Sequence, residues 1–438
     1  MIILVRNVSF TSKRLLILMG IFFWFASTLS AHANRDIVFS ARFYASPGHH
    51  ILTHFHLYRI NPDGSKRTQL TFGKYDDLNP RWSPDGKFIL FDRWDVSNES
   101  AHLCLISSND RKVRSLFTGK SPMNDFTWSP KGGKILVLGN LNFEGAMTGT
   151  LYLITLPSGN VASIANNTAS FSWSPNGRYF AILKPVYKWI HGQYTEVRSS
   201  TWVIQSAGGK TLRLNGTANP AWSPDGDKLC LSSFPSGSAE IWNVSSHTKR
   251  TIPRKFDEYL WIDSKTIVGE RLDNKTGKVD VTVFGSDGRE IKQYHIKASI
   301  NGRIPALSSI PNSPDIILCT YDDSNSTERP LNEYDILNIR TGVFRTFLKD
   351  GQFLVWSPHG DRFCTAPSRR LFPYGEKIRR YQRNVWTAPL IVGDIPERFI
   401  RLHNKTAANS LLPVSSISEC REQIITSRFS WVLECDWR

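Results

Sequence analysis

Four of the chain's eleven histidines fall in one short stretch, "HHILTHFH", which supplies His49, His50, His54 and His56. Neutral imidazole is a common ligand of transition metals, and His54 and His56, two residues apart, would share one face of a strand. With a third ligand they would form a divalent metal site, and a metal-dependent lyase or hydrolase acting on acidic saccharides is the chemistry that follows. No carboxylate beside them in the sequence completes such a site. A solvated, partly packed histidine loop is therefore the plainer reading, with no cofactor expected. No residue is assigned a catalytic role.

A second group suits recognition better than catalysis. Arg369, Arg370, Lys377, Arg379, Arg380 and Arg383 are interleaved with Phe372, Tyr374 and Tyr381 in "RRLFPYGEKIRRYQR". Guanidinium groups hold carboxylates or phosphates in a bidentate manner, and aromatic rings offer stacking faces. Tyr187, Trp189 and Tyr194, in "YKWIHGQY", add the flat anchors typical of protein interfaces. An acidic protein segment and an anionic glycan fit this mixture equally well. The Gly-x-Ser-x-Gly nucleophile elbow, paired CxxC spacings, the HExxH helix and the phosphate-binding P-loop are all missing.

Cys104, Cys230, Cys319 and Cys364 sit inside apolar, strand-like segments and read as buried thiols. Cys420 and Cys435 differ. They flank "REQIITSRFSWVLE", which reads as a hairpin turning near Arg428. An oxidising compartment would let the two close as a disulfide, although spacing alone does not fix the pairing.

What must position all these groups is a repeat. "PRWSPDGKFILF" recurs as "FTWSPKGGKILV", "FSWSPNGRYFAI", "PAWSPDGDKLCL" and "LVWSPHGDRFCT", around Trp82, Trp128, Trp173, Trp222 and Trp356. The first four stand about 45 residues apart, the length of a four-stranded propeller blade. Weaker copies surround Trp261 and Ser308, and an eroded one spans 410–427. Each copy parses as a short inner strand, a Ser-Pro-Asp-Gly turn and a second strand, because proline presets the first turn dihedral and glycine supplies the positive φ. The expectation is an all-β propeller of eight blades, with six or seven as alternatives. Segments 37–41, 56–60 and 66–70 read as strands two to four of a blade lacking its first strand. The C-terminal copy would supply it, closing the ring and hiding a sheet edge.

The first 33 residues read as an export signal, leaving residues 34–438 as the propeller. Arg6, Lys13 and Arg14 precede an apolar run from Leu15 to Ala26, and Ala31-His32-Ala33 forms a small-x-small cleavage site. The run is shorter than the roughly 20 residues a membrane span needs. The mature chain is therefore expected outside the cytoplasm, without a transmembrane segment: periplasmic in a Gram-negative host, otherwise secreted. The full chain's formal charge of +16, which falls to +13 without the three basic residues of the signal, then points to an acidic envelope or secreted protein, or an anionic glycan, rather than to nucleic acid. A monomer is expected.

The stretch "LYRINPDGSKRTQLT…NPRWSPDGKFILF" resembles the TolB-like propellers, whose blades carry this WD40-like PD40 repeat. The resemblance implies the fold and suggests an envelope interaction protein. Peptidases of the prolyl oligopeptidase and tricorn types use similar propellers beside a catalytic domain. Oligogalacturonate lyases look similar at the level of the repeat and use manganese with histidines, which keeps the metal alternative open. One fold serves many functions.

Overall fold

In a computed structural model of the chain, the described residues are 36–365 apart from short internal stretches, together with 391–394, 422–424 and 431–437. Among them the regular elements are all strands. They form eight four-stranded antiparallel sheets and one separate two-stranded ribbon.

Seven sheets each take four strands in sequence order. The first consists of Asp76–Trp82, Phe88–Asp95, Ser100–Ser107 and Val113–Gly119. The second begins at Asp125–Trp128, the third at Ser170–Trp173, the fourth at Ala221–Trp222, the fifth at Glu258–Trp261, the sixth at Ala306–Ser309 and the seventh at Val355–Trp356. The weak copies around Trp261 and Ser308 are thus full sheets.

The eighth sheet joins the chain's two ends, in the order Trp431–Trp437, Ile37–Arg42, His56–Ile60, Thr68–Gln69. Ile37 pairs with Trp437 and Phe39 with Cys435. A C-terminal strand therefore completes the N-terminal sheet, but it is not the eroded copy at 410–427. Glu422–Ile424 instead pairs with Ile391–Asp394 as the outer strand of the seventh sheet. The true joining strand has no hairpin after it, so it needs no Ser-Pro-Asp-Gly turn and carries no repeat signature. This also corrects the hairpin reading around Arg428: the strands on either side belong to different sheets. Cys420 lies outside the described residues, so its bond to Cys435 stays an expectation. Cys104, Cys230 and Cys364 are buried and Cys319 is half-buried, and none of the four is in a disulfide.

The repeated turn is a self-contained hydrogen-bonding unit. In the first sheet the Ser83 hydroxyl donates to Asp85 Oδ1 at 2.6 Å, and the Lys87 amide donates to the same oxygen at 3.1 Å. The Gly86 amide closes the turn on the Ser83 carbonyl, with φ of 65°. Successive turns also interlock, since Asn176 Nδ2 donates to the Asp225 carbonyl at 2.9 Å.

Each repeat tryptophan packs backwards onto the preceding sheet. Trp128 sits with Leu90 and Leu103 of the first sheet, and Trp222 with Ala181 and Val203 of the third. Trp261 Nε1 donates to the Ala221 carbonyl of the fourth sheet at 2.9 Å, and Trp128 Nε1 to the Arg81 carbonyl at 3.3 Å. The core is thus a series of apolar layers between neighbouring sheets, and each repeat is buried only when the next one covers it.

Candidate functional site

The connection between the second and third strands of the third sheet is unlike the others. Tyr179–Ile190 and Gln193–Gln205 run to 12 and 13 residues. The first strand of the sheet pairs only with 180–183, and the fourth only with 201–204. Residues 184–200 therefore extend past the sheet as a two-stranded arm, paired from Lys184↔Ser200 to Ile190↔Gln193. His191, with φ of 49°, stands at its tip, the positive φ suiting a turn whose twist matches the strands. Pro185 is tolerated because this stretch of strand has no third neighbour needing its missing N–H.

Register places the positions of the three sequence-predicted aromatics of this segment on one side of the arm. Trp189 stands opposite Tyr194, and Tyr187 precedes Trp189 by two, so all three positions share one face of the arm. Trp189 is 64% exposed. Lys188 and Arg198 are exposed on the same arm. At its base Trp202 is flanked by two cations, Lys184 Nζ at 5.6 Å and the Arg213 guanidinium at 5.5 Å from the ring centroid. A cleft of about 370 Å³ opens there, lined by Asn166, Ile182, Lys184, Trp202 and Ile204 among others. Sequence reading missed Lys184, Arg198, Trp202 and Arg213. Trp202 and Arg213 in particular sit in ordinary strands, and only cross-strand register places them at the arm's base.

The equivalent connection of the terminal sheet holds the histidines. It folds into the separate ribbon, Tyr44–Ser46 with His49–Leu52, so His49 and His50 lie on a different element from His56, and His54 falls just before the strand His56–Ile60 rather than sharing a strand face with His56. The side chains of His49 and His50 lie outside the described residues. His54 Nδ1 is 3.3 Å from Asp76 Oδ1, and His56 Nδ1 is 4.0 Å from Asp77 Oδ2. The carboxylates absent from the local sequence thus arrive from the first sheet. Asp77 is already engaged, since Arg93 donates to both its oxygens. Arg42 also stacks on Phe55, 4.4 Å from the ring centroid. Among the described residues no group of three or more His, Cys, Asp or Glu side chains is arranged to hold a metal ion. What is visible at His54 and His56 is contact between the terminal sheet and carboxylates of the first.

The basic loop at 366–384, with Arg369, Arg370, Phe372, Tyr374, Lys377, Arg379, Arg380, Tyr381 and Arg383, lies outside the described residues. Its sheet, the seventh, is described on both sides of it.

Against this geometry the comparisons with known proteins can be set. No family model matches the chain. A protein from Agrobacterium fabrum, itself uncharacterised, is 26% identical over 176 residues, which cover 38% of this chain and 53% of that protein. The chain therefore spans about half the length of that relative. The dihydro-heme d1 dehydrogenase NirN is similar in structure at a TM-score of 0.51, with 16% identity over 84% of this chain and 73% of that one. The fold is a β-propeller. TolB from Acinetobacter baumannii is also among the similar structures, with 17% identity over 58% of this chain and 62% of that one, and a TM-score of 0.32. These likenesses concern the fold alone. Among the described residues of the propeller no helix is long and apolar enough to cross a membrane.

Proposed function

We propose that this β-propeller is an exported, non-catalytic binding scaffold that holds an acidic segment of an envelope or secreted protein. The partner docks on the face carrying the second-to-third-strand connections, where the 184–200 arm, the histidine ribbon and the basic loop at 366–384 emerge. The observation that carries the reading is the arm. It extends past its sheet, with Trp189 64% exposed on one face and Lys188 and Arg198 exposed at positions of the other. A tryptophan so exposed contributes nothing to the fold's core, and an arm that carries an aromatic on one face and basic residues on the other offers both kinds of interface anchor. The basic loop at 366–384, in the connection of the seventh sheet, would add the same chemistry to that face.

The test is in-cell crosslinking followed by mass spectrometry, using the intact chain, a variant with the arm replaced by a short Gly-Ser turn, and one with loop 369–383 so replaced. The proposal expects one acidic protein captured by the intact chain and lost from both variants. Equal capture by all three contradicts it, and so does capture of anionic glycan alone, which would reassign the face to a saccharide.

A further inference from the structure

The face of the third sheet opposite the arm's aromatics carries a regular row of positive charge. Side chains alternate along a strand, so Ile182, Lys184, Val186 and Lys188 of Tyr179–Ile190 stand on one side. Register sets their partners on that side as well. Ile182 pairs with Trp202, and Trp202 in turn with Arg213. Lys184 pairs with Ser200, Val186 with Arg198 and Lys188 with Thr195. The register shift after Val186 falls at Val197 on the returning strand and leaves the alternation along Tyr179–Ile190 intact. Four successive cross-strand rows therefore hold one cation each, in the order Arg213, Lys184, Arg198, Lys188, and none of these pairings includes an acid. Rows that recur every two residues stand about 6.8 Å apart.

Among the described residues none of the four cations enters an ion pair. Strand cations elsewhere do: Lys249 meets Glu240 at 2.8 Å, and Arg254 meets Glu290 at 3.0 Å. Arg213, Arg198 and Lys188 are exposed, Lys184 is half-buried, and Val186 is 47% exposed, so the face is open to solvent. At its inner end the row meets the cleft of about 370 Å³. There Lys184 and Arg213 lie over the Trp202 ring. Ser163 and Asn166, on the outer strand Asn160–Thr168 of the second sheet, form the opposite wall, and no carboxyl group is in the lining. Two cations beside an aromatic ring, with neutral hydrogen-bonding groups across from them, suit a carboxylate on a short apolar stem.

We propose, on the reading of the propeller as a scaffold for an acidic protein segment, that this face binds that segment in extended form, with a carboxylate at every second position and the innermost one in the cleft beside Lys184 and Arg213. An extended peptide repeats its side-chain direction every two residues, at the spacing of the rows. Each carboxylate then meets one cation. The aromatic face of the arm is left for the rest of the partner.

The test is fluorescence anisotropy on the purified full chain with two labelled octapeptides of one composition, one alternating Glu and Thr and one with the Glu residues in a block. The alternating peptide should bind about fivefold more tightly, the worth of a good exposed ion pair, and added salt should weaken it. Lys184→Gln, Arg198→Gln and Arg213→Gln should each weaken its binding about two- to fivefold. The double variant of Lys184 and Arg213 should lose about tenfold or more, as two such pairs combined. Lys131→Ala, at an exposed lysine in the turn of the second sheet, should change nothing. Thermal melting checks that each variant is folded. Equal affinity for the two peptides overturns the two-residue pattern, and full affinity in the double variant overturns the face. Binding of neither peptide overturns the proposal outright, even if crosslinking in cells captures an acidic protein. Peptide binding without a captured partner would instead count against the scaffold reading. Preference for a polyuronate over both peptides would overturn the proposal and reassign the face to a saccharide.

Discussion

Arg93 donates two hydrogen bonds to Asp77, 2.7 Å from Nε to Oδ1 and 3.0 Å from its terminal nitrogen to Oδ2. Asp77 is 0% exposed. Its amide donates to the Phe55 carbonyl, and its own carbonyl accepts from the Ser40 hydroxyl at 2.6 Å. The backbone of Asp77 therefore fastens the first sheet to the terminal one, and within the first sheet its carboxylate holds Arg93. Removing that carboxylate leaves a guanidinium with most of its surroundings dry, so Asp77→Ala should cost about 3–5 kcal/mol. Urea denaturation measures this directly, and a loss below about 1 kcal/mol would rule out the role given to the pair.

The repeat tryptophans should matter for stability and not for recognition. Trp261→Phe keeps a ring in the layer but removes the hydrogen bond to the Ala221 carbonyl. A loss of about 1–3 kcal/mol is expected, because the buried carbonyl is left without that donor. Partner capture should be unchanged at temperatures where the variant is folded.

Joining the chain's ends in one sheet has a direct consequence. Ile37, Val38 and Phe39 are all 0% exposed. Truncation after residue 430 would uncover the edge of Ile37–Arg42 and part of that apolar surface. The truncated chain should melt at a lower temperature, over a broader range, and scatter light on heating. An unaltered melting curve would show that the terminal pairing contributes nothing.

Asp125 gives a pH dependence with a definite sign. Burial pushes its carboxyl up to about 7, against the opposing pull of the Arg81 guanidinium and the Phe126 amide. Between the ordinary carboxylate range and pH 7 the folded chain holds a proton that the unfolded chain has released. Stability from this group is therefore present at low pH, falls as pH rises through that window and is level above it. Asp125→Asn should lose less stability between pH 5 and pH 8 than the wild-type chain in parallel urea titrations.

The fold was legible because its signal is local and repeated. A Ser-Pro-Asp-Gly turn flanked by apolar strands dictates a hairpin wherever it occurs, and the spacing of the tryptophans sets the sheet length. The joining strand Trp431–Trp437 escaped notice because a strand that pairs with the other chain end carries no turn. The site was legible only in part. The aromatic positions of the arm follow from sequence, since Tyr187 and Trp189 alternate and Tyr194 pairs with Trp189 once the chain turns back after Ile190. The partners of His54 and His56 do not, because Asp76 and Asp77 reach them from another sheet. The row of cations was invisible for a similar reason: register alone sets Arg198 and Arg213 on the same face as Lys184 and Lys188.

The central claim is that the arm carries a binding surface. A photo-crosslinking amino acid in place of Trp189, compared with one in place of Ile291, tests it most directly. Ile291 is as exposed as Trp189, at 63%, but lies on the outer strand of the fifth sheet. The account predicts a discrete, salt-sensitive crosslink to one acidic protein from position 189 and none from 291. No crosslink from 189, or the same products from both positions, would contradict it.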